Sequence, residues 1–332
     1  PQSELALLPG SPSSAIGTSR DHLEPADYDA IAARLQAGEV GIVCFNGGNG
    51  SMDACGRLYE ACCRQGADVR VVGIPKTMDN DIAVTDHAPG YGSAARYMAG
   101  SVAEVCCDVR GLPIHVVVIE AMGRSAGWVA AASALAEECG TGGPDLIYLP
   151  ERAFDEARFL SDVRQLIAQK GCGVVVASEG LCGQDGAPLV APVMTVGRAT
   201  YFGDVSAHLA QLIVQKLGYK ARSEKPGLLG RASIAWQSEI DRQEAELAGR
   251  EAVKAACAGA TGVMVGFRRH EGAVYAVSPE YIPIEQVMLA EKKMPEEFIN
   301  QAGNGVTESF KAWCRPLVGP LPRFVSFQKG AG

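Results

Sequence analysis

Short, wholly apolar runs alternate along the chain with stretches in which apolar residues recur every three or four positions. The runs Val40–Phe45, Val69–Ile74, Ile114–Glu120, Leu146–Leu149, Val174–Ala177 and Val263–Phe267 predict strands. Helices are predicted over Met52–Gln65, from about Ser93, and over Ser125–Glu138, Phe154–Lys170, Val205–Leu217 and Glu239–Ala258. Leu160, Val163, Leu166 and Ile167 illustrate the helical spacing. Toward the C-terminus, Ile284–Leu289, Glu296–Asn300 and Val306–Cys314 read as short helices. Strands that are apolar on both faces and separated by helices imply a parallel sheet covered on both sides. No internal repeat and no Ser-rich or charged linker marks a domain boundary.

The chain has 332 residues, of which 47% are hydrophobic, enough for about two folded domains. No apolar run approaches the ~18 residues of a membrane span. The net charge of −8 makes general nucleic-acid or anionic-membrane binding a poor fit, so an anionic ligand would need local Arg and Lys. Eleven cysteines, an odd number without CxxC pairs, read as reduced packed thiols of a cytoplasmic protein. The five histidines show no metal-ligand spacing.

Two loops carry chemistry. Phe45-Asn46-Gly47-Gly48-Asn49-Gly50-Ser51 joins a strand to a helix. Its glycines let a ligand approach the backbone, and the helix N-terminus behind them favours an anion. A tight turn capped by Ser51 would explain the same residues. One βα unit later comes Gly73-Ile74-Pro75-Lys76-Thr77-Met78-Asp79-Asn80-Asp81. Lys76 offers a mobile positive charge, Thr77 a hydroxyl, and Asp79 and Asp81 carboxylates that could take a proton from an attacking alcohol beside bound phosphate. Ends of neighbouring parallel strands face one crevice, so the two loops should converge.

The second loop resembles the signature of the phosphofructokinases. The resemblance continues through Met122-Gly123-Arg124, Pro150-Glu151, Ser178-Glu179-Gly180, Arg222 and Gly230-Arg231, and spans nearly the whole chain. Asn46-Gly47-Gly48-Asn49 and Ala126-Gly127-Trp128 bring it nearest to the bacterial pyrophosphate-dependent branch. The resemblance implies two doubly wound α/β domains with the active site in the crevice between them. Residues 1–90 and 230–283 would form the donor domain, with its first βα unit missing, and 91–229 and 284–332 the fructose 6-phosphate domain.

It also implies roles. Asp79 would deprotonate the 1-hydroxyl of fructose 6-phosphate, Asp81 would support it, and Thr77 and Lys76 would hold the transferred group. Gly48, Asn49, Gly50 and Ser51 would cradle the donor with Mg²⁺, Asn49 standing at a metal-binding position, and Arg20 would contact donor phosphate. Met122, Gly123 and Arg124 would line the sugar and Glu179 would accept from its hydroxyls. Arg222 and Arg231 would grip the 6-phosphate, Arg222 from a neighbouring subunit of a homodimer or homotetramer. The donor is pyrophosphate or ATP: branch and Lys76 favour the former, while Gly50, where pyrophosphate users generally carry Asp, favours the latter. His115 and Leu228 also depart from common family residues. A sugar-phosphate-binding subunit without catalysis is the alternative from another class.

Overall fold

The computed structural model describes residues 2–19, 21–112, 114–196, 199–201 and 203–325. Along the chain the elements are α1 (Gln2–Leu5), α2 (Pro25–Ala37), β1 (Ile42–Gly47), α3 (Asn49–Gln65), β2 (Arg70–Pro75), α4 (Tyr91–Gly111), β3 (Val116–Ala121), α5 (Trp128–Ala132), β4 (Leu146–Tyr148), α6 (Glu156–Lys170), β5 (Gly173–Ser178), β6 (Met194–Val196), β7 (Ala199–Tyr201), α7 (Val205–Leu217), β8 (Ala221–Glu224), α8 (Gly227–Ala232), α9 (Glu239–Cys257), β9 (Val263–Arg269), β10 (Val277–Pro283) and α10 (Glu308–Val318). They fall into two compact units, one of residues 1–91 and 239–292, the other of 92–238 and 293–332. The chain thus crosses three times, and the second and third crossings lie later than the expected 229/230 and 283/284.

In the first unit the sheet order is β1-β2-β9-β10. Successive residues of β2 alternate faces. Val71 packs with Met52 and Leu58 of α3, whereas Val72 packs with Ala248, Ala252 and Ala256 of α9. The strand, apolar after Arg70, is therefore covered on both sides, as its sequence requires. β10 runs antiparallel to β9 at one edge, so the sheet is parallel except there. α2 starts with a reciprocal capping box between Glu24 and Asp27 and has Pro25 in its first turn.

The second unit has the all-parallel order β4-β5-β3-β8 and a separate hairpin of β6 and β7. Val116 and Val118 of β3 and Val175 and Ala177 of β5 share a core with Phe159, Val163 and Leu166 of α6 and Leu209 and Ile213 of α7. The helix expected over Ser125–Glu138 is instead the short α5 followed by a 3₁₀ segment, Ser133–Cys139. Among the described residues no disulfide joins the cysteines. No helix among the described residues is long and apolar enough to cross a membrane.

Candidate active site

In the first unit, β1 and β2 run parallel with Gly47 opposite Pro75, so the loops that follow them emerge together. The Lys76 amide donates to the Gly47 carbonyl at 2.8 Å, tying one loop to the other. Gly48 caps α3, and its carbonyl accepts from the amides of Ser51 and Met52 at 2.9 and 3.1 Å. A Cβ on Gly47 would lie 2.1 Å from Ser51 Oγ, and one on Gly48 would touch Thr77. A Cβ on Gly50, by contrast, meets nothing within 4 Å, and Gly50 is exposed. The loop is thus glycine-dependent where the chain folds on itself and open at Gly50. α3 has no acidic residue in its first turn, which leaves the positive end of the helix dipole unopposed there. Asn49 Nδ2 donates to the Ala290 carbonyl at 2.9 Å.

The expected donor and catalytic residues are brought together, with one exception: Arg20 lies outside the described residues. Lys76 is exposed, Asp79 half-buried, and Thr77 and Asp81 buried. The Thr77 hydroxyl donates to Asp81 Oδ1 at 3.3 Å and accepts from the Asp79 amide at 3.1 Å. Its bonding capacity is therefore used to shape the loop, a role the sequence did not suggest.

The loop carrying these residues is held at many points. Asn80 and Val84 adopt positive φ, at 55° and 70°. Such backbone persists only where its surroundings fix it. Asn80 Oδ1 accepts from the Ala88 amide at 3.1 Å and from Lys292 Nζ at 3.2 Å. Thr85 Oγ1 donates to the His87 carbonyl and accepts from the Phe267 amide. Asp241 accepts from the Gly90 amide at 2.7 Å, tying the far end of the loop to α9.

His87 is buried beneath this loop. Its Nδ1 lies 2.8 Å from Asp86 Oδ2, its Nε2 2.6 Å from Glu244 Oε2, and its ring stacks on Phe267. Tyr275 donates to the other oxygen of Glu244, and Arg269 pairs with Asp86. Burial alone would lower the His87 pKa, but hydrogen bonds to Asp86 and Glu244 outweigh it and raise the pKa. With a carboxylate at each nitrogen, the imidazolium with both nitrogens donating is the form that fits. The stabilisation from this raised group is complete below the ordinary value of about 6.5 and is lost as pH rises through the folded-state pKa. Thermal unfolding of the wild type and His87→Gln should therefore differ most at acidic pH, the gap closing in alkaline buffer. A gap constant with pH would contradict a charged His87.

In the second unit, β3 and β5 are parallel neighbours with Ala121 opposite Ser178. The Met122-Gly123-Arg124 and Glu179-Gly180 turns therefore leave side by side. The Glu179 amide donates to Ala121 O, and Glu179 Oε1 accepts from the Gly123 and Arg124 amides, both at 3.1 Å. One carboxylate oxygen of Glu179 is thus committed to the turn rather than to a ligand. Gly123 has φ 141°, and a Cβ there would lie 2.6 Å from Ala126 O. Arg124 has φ 52° and an exposed side chain, and Met122 is half-buried.

Arg222 sits on β8, the edge strand next to β3, opposite Val117, and is exposed. Arg231 is exposed in the last turn of α8. No hydrogen bond joins Arg222 or Arg231 to the Gly123 turn among the described residues. Glu120, the penultimate residue of β3, is buried and accepts from the Val205 and Ser206 amides. Lys225 Nζ lies 2.7 Å from its other oxygen. Burial would lower the Lys225 pKa, but the bond to Glu120 raises it, whereas at Glu120 burial outweighs Lys225 and raises the carboxyl pKa, so it is the 2.7 Å contact that ties β3 to the segment after β8.

Three features escaped the sequence reading: the His87–Glu244 pair, the segment 289–292, and the function of Glu151. Glu151 Oε1 accepts from the Gly127 and Met294 amides, and burial raises its pKa. The Pro150-Glu151 pair is visible in the sequence as a motif, but its partners, Gly127 and Met294, lie far along the chain.

The sequence profile of the family described as phosphofructokinase matches residues 3–256. A protein of Xanthomonas campestris pv. campestris named pyrophosphate--fructose 6-phosphate 1-phosphotransferase is 36% identical, the match covering 98% of this chain and 83% of its own. A sulfofructose kinase of Alkalicoccus urumqiensis is 34% identical, over 97% of this chain and 83% of its own. The crystal structure of a pyrophosphate-dependent phosphofructokinase from Nitrosospira multiformis superposes with TM-score 0.87 at 31% identity, covering 99% of this chain and 80% of the other. With a profile match over most of its length and relatives of this identity over almost all of it, the chain belongs to the phosphofructokinase family.

Proposed function

We propose that this protein is a 6-phosphofructokinase that transfers a phosphoryl group from pyrophosphate to O1 of fructose 6-phosphate, giving fructose 1,6-bisphosphate. The observation that carries the reading is an intact Lys76–Asp81 loop in a chain that matches a pyrophosphate--fructose 6-phosphate 1-phosphotransferase almost end to end. The first unit supplies the donor half. The open end of α3, with Gly48, Asn49, Gly50 and Ser51, receives the donor phosphates, and Lys76 meets the transferred group. Asp79 accepts the proton of the attacking hydroxyl, and Asp81 fixes Thr77. The second unit supplies the acceptor half. Met122, Gly123 and Arg124 line the sugar, with Glu179 shaping their turn and offering its second oxygen to a hydroxyl. Arg222 and Arg231 take the 6-phosphate, for which exposed guanidinium forks suit the oxygens. Arg222 acts across subunits of a homodimer or homotetramer.

Mg²⁺ fits the donor half. Asn49, Asp79 and Asp81 present oxygen donors, which suit a hard cation. Mg²⁺ commonly keeps only one or two carboxylate ligands and binds through substrate phosphates. Asn49 would hold it, and when bound it would neutralise charge on the transferring group.

The choice of pyrophosphate rests on the relatives, and position 50, where glycine favours ATP, is the place to test it. Its side-chain position is empty, so Gly50→Asp should fit sterically. An added carboxylate repels an α-phosphate that pyrophosphate lacks, and even about 1.4 kcal/mol of net repulsion is tenfold. The ratio of ATP to pyrophosphate use should fall in Gly50→Asp, and equal loss with both donors would show that position 50 does not select. Turnover with sulfofructose but not with fructose 6-phosphate would overturn the acceptor assignment.

A further inference from the structure

The segment 289–292 is laid along both loops of the donor half. Asn49 Nδ2 donates to Ala290 O, Asp53 Oδ1 accepts from the Leu289 amide, and Glu291 forms an isolated bridge with Ile82. The Lys292 amide then donates to Asp81 O at 2.8 Å. The Lys292 side chain turns into the loop. Its Nζ donates to Asn80 Oδ1 at 3.2 Å, Thr85 O at 3.1 Å and Asp86 O at 2.9 Å. Three acceptors from three residues use all three N–H groups of an ammonium. These acceptors span the left-handed bend at Asn80 and Val84, the part of the loop with least intrinsic preference for its conformation. Asp79 immediately precedes Asn80 and Asp81 immediately follows it, so both carboxylates sit on the stretch that Lys292 ties down.

We propose that Lys292 is a positioning residue for the reaction: its ammonium clamps Asn80, Thr85 and Asp86 so that Asp79 and Asp81 are held ready beside the donor loop. The inference rests on the assignment of Asp79 as proton acceptor. Lys292 contacts neither sugar nor phosphate in this scheme and works through the backbone it ties down. Burial pushes its pKa down to about 7, against the pull of Asp86 and Asp81 and with the push of Arg269.

The test is steady-state kinetics of Lys292→Met and Lys292→Ala with fructose 6-phosphate, pyrophosphate and Mg²⁺, with unfolding temperatures alongside. Misplacing a reacting group by about an ångström costs on the order of 10²-fold in rate. In Lys292→Met, kcat should fall toward that extent while KM for fructose 6-phosphate holds, because the Met122–Arg124 turn is built by other residues. Ethylammonium should restore part of kcat to Lys292→Ala and do nothing for the wild type. Wild-type kcat in Lys292→Met, kcat and KM moving together, or no recovery with the amine would each overturn the proposal.

Should the lysine variants not fold, Asn80→Gly removes the side-chain acceptor and suits the positive φ. It should show the same fall in kcat at constant KM, and unchanged kcat would overturn the clamp. Asp79→Asn, run in parallel, separates the two levels. If Asp79→Asn stays active, the underlying assignment fails. If Asp79→Asn is inactive while Lys292→Met is fully active, only the clamp fails.

Discussion

Asp79→Asn is expected to lower kcat by roughly 10²–10⁴, the range of general-base catalysis, while fructose 6-phosphate still binds. Asn has nearly the shape of Asp and leaves the backbone alone, so the bond from the residue-79 amide to the Thr77 hydroxyl persists. Asn80, Thr85, His87 and Asp241 continue to fix the rest of the loop. What disappears is the carboxylate proposed to accept the hydroxyl proton. On the proposed assignment the Gly123 turn and the two arginines of the other unit bind the sugar phosphate, so its affinity should be unchanged by calorimetry. Near-wild-type turnover in a folded Asp79→Asn protein would remove Asp79 from the mechanism.

Gly180→Ala should damage the acceptor half more than any other single methyl group. A Cβ on Gly180 would lie 1.6 Å from Arg124 O and 2.5 Å from Arg124 C. Both are backbone atoms of a turn that Glu179 pins from the neighbouring strand end, so no side chain can swing aside. Either the Met122–Arg124 turn or the end of β5 must move. Overpacking costs about 1–3 kcal/mol even where side chains can adjust, and a backbone clash belongs at or above the top of that range. The variant should unfold at lower temperature, and any folded fraction should show a raised KM for fructose 6-phosphate with little change in donor KM. Wild-type stability together with wild-type KM would contradict the close packing of Gly180 on Arg124.

What the sequence revealed follows from which interactions are local. β2 and β3 are apolar at almost every position, and the loops after β1 and β2 carry their own signature, so elements and chemistry could be read together. β10 could not be read this way. Pro279 and Pro283 argue against a central strand, yet β10 is an edge strand, where a missing N–H is tolerated. β8 is polar and largely exposed, so no apolar run announces it. α2 carries a helix start in Glu24, Pro25 and Asp27 but only a weak apolar stripe behind it, so periodicity alone does not reveal it. Lys292 and Glu244 act on partners more than 150 residues away in sequence, and nothing in their own neighbourhood distinguishes them from surface charges. Glu179 was identified as a site residue, but only the structure shows one of its oxygens bound to the turn it supports.

The central claim is phosphoryl transfer from pyrophosphate to O1 of fructose 6-phosphate. Its most direct test is an assay of fructose 1,6-bisphosphate formation by the purified chain with Mg²⁺, run once with pyrophosphate and once with ATP. The account predicts product with pyrophosphate, at a higher kcat/KM than with ATP, and none from the Asp79→Asn protein above the residual rate. No fructose 1,6-bisphosphate with either donor, from a folded protein that still binds fructose 6-phosphate, would contradict it.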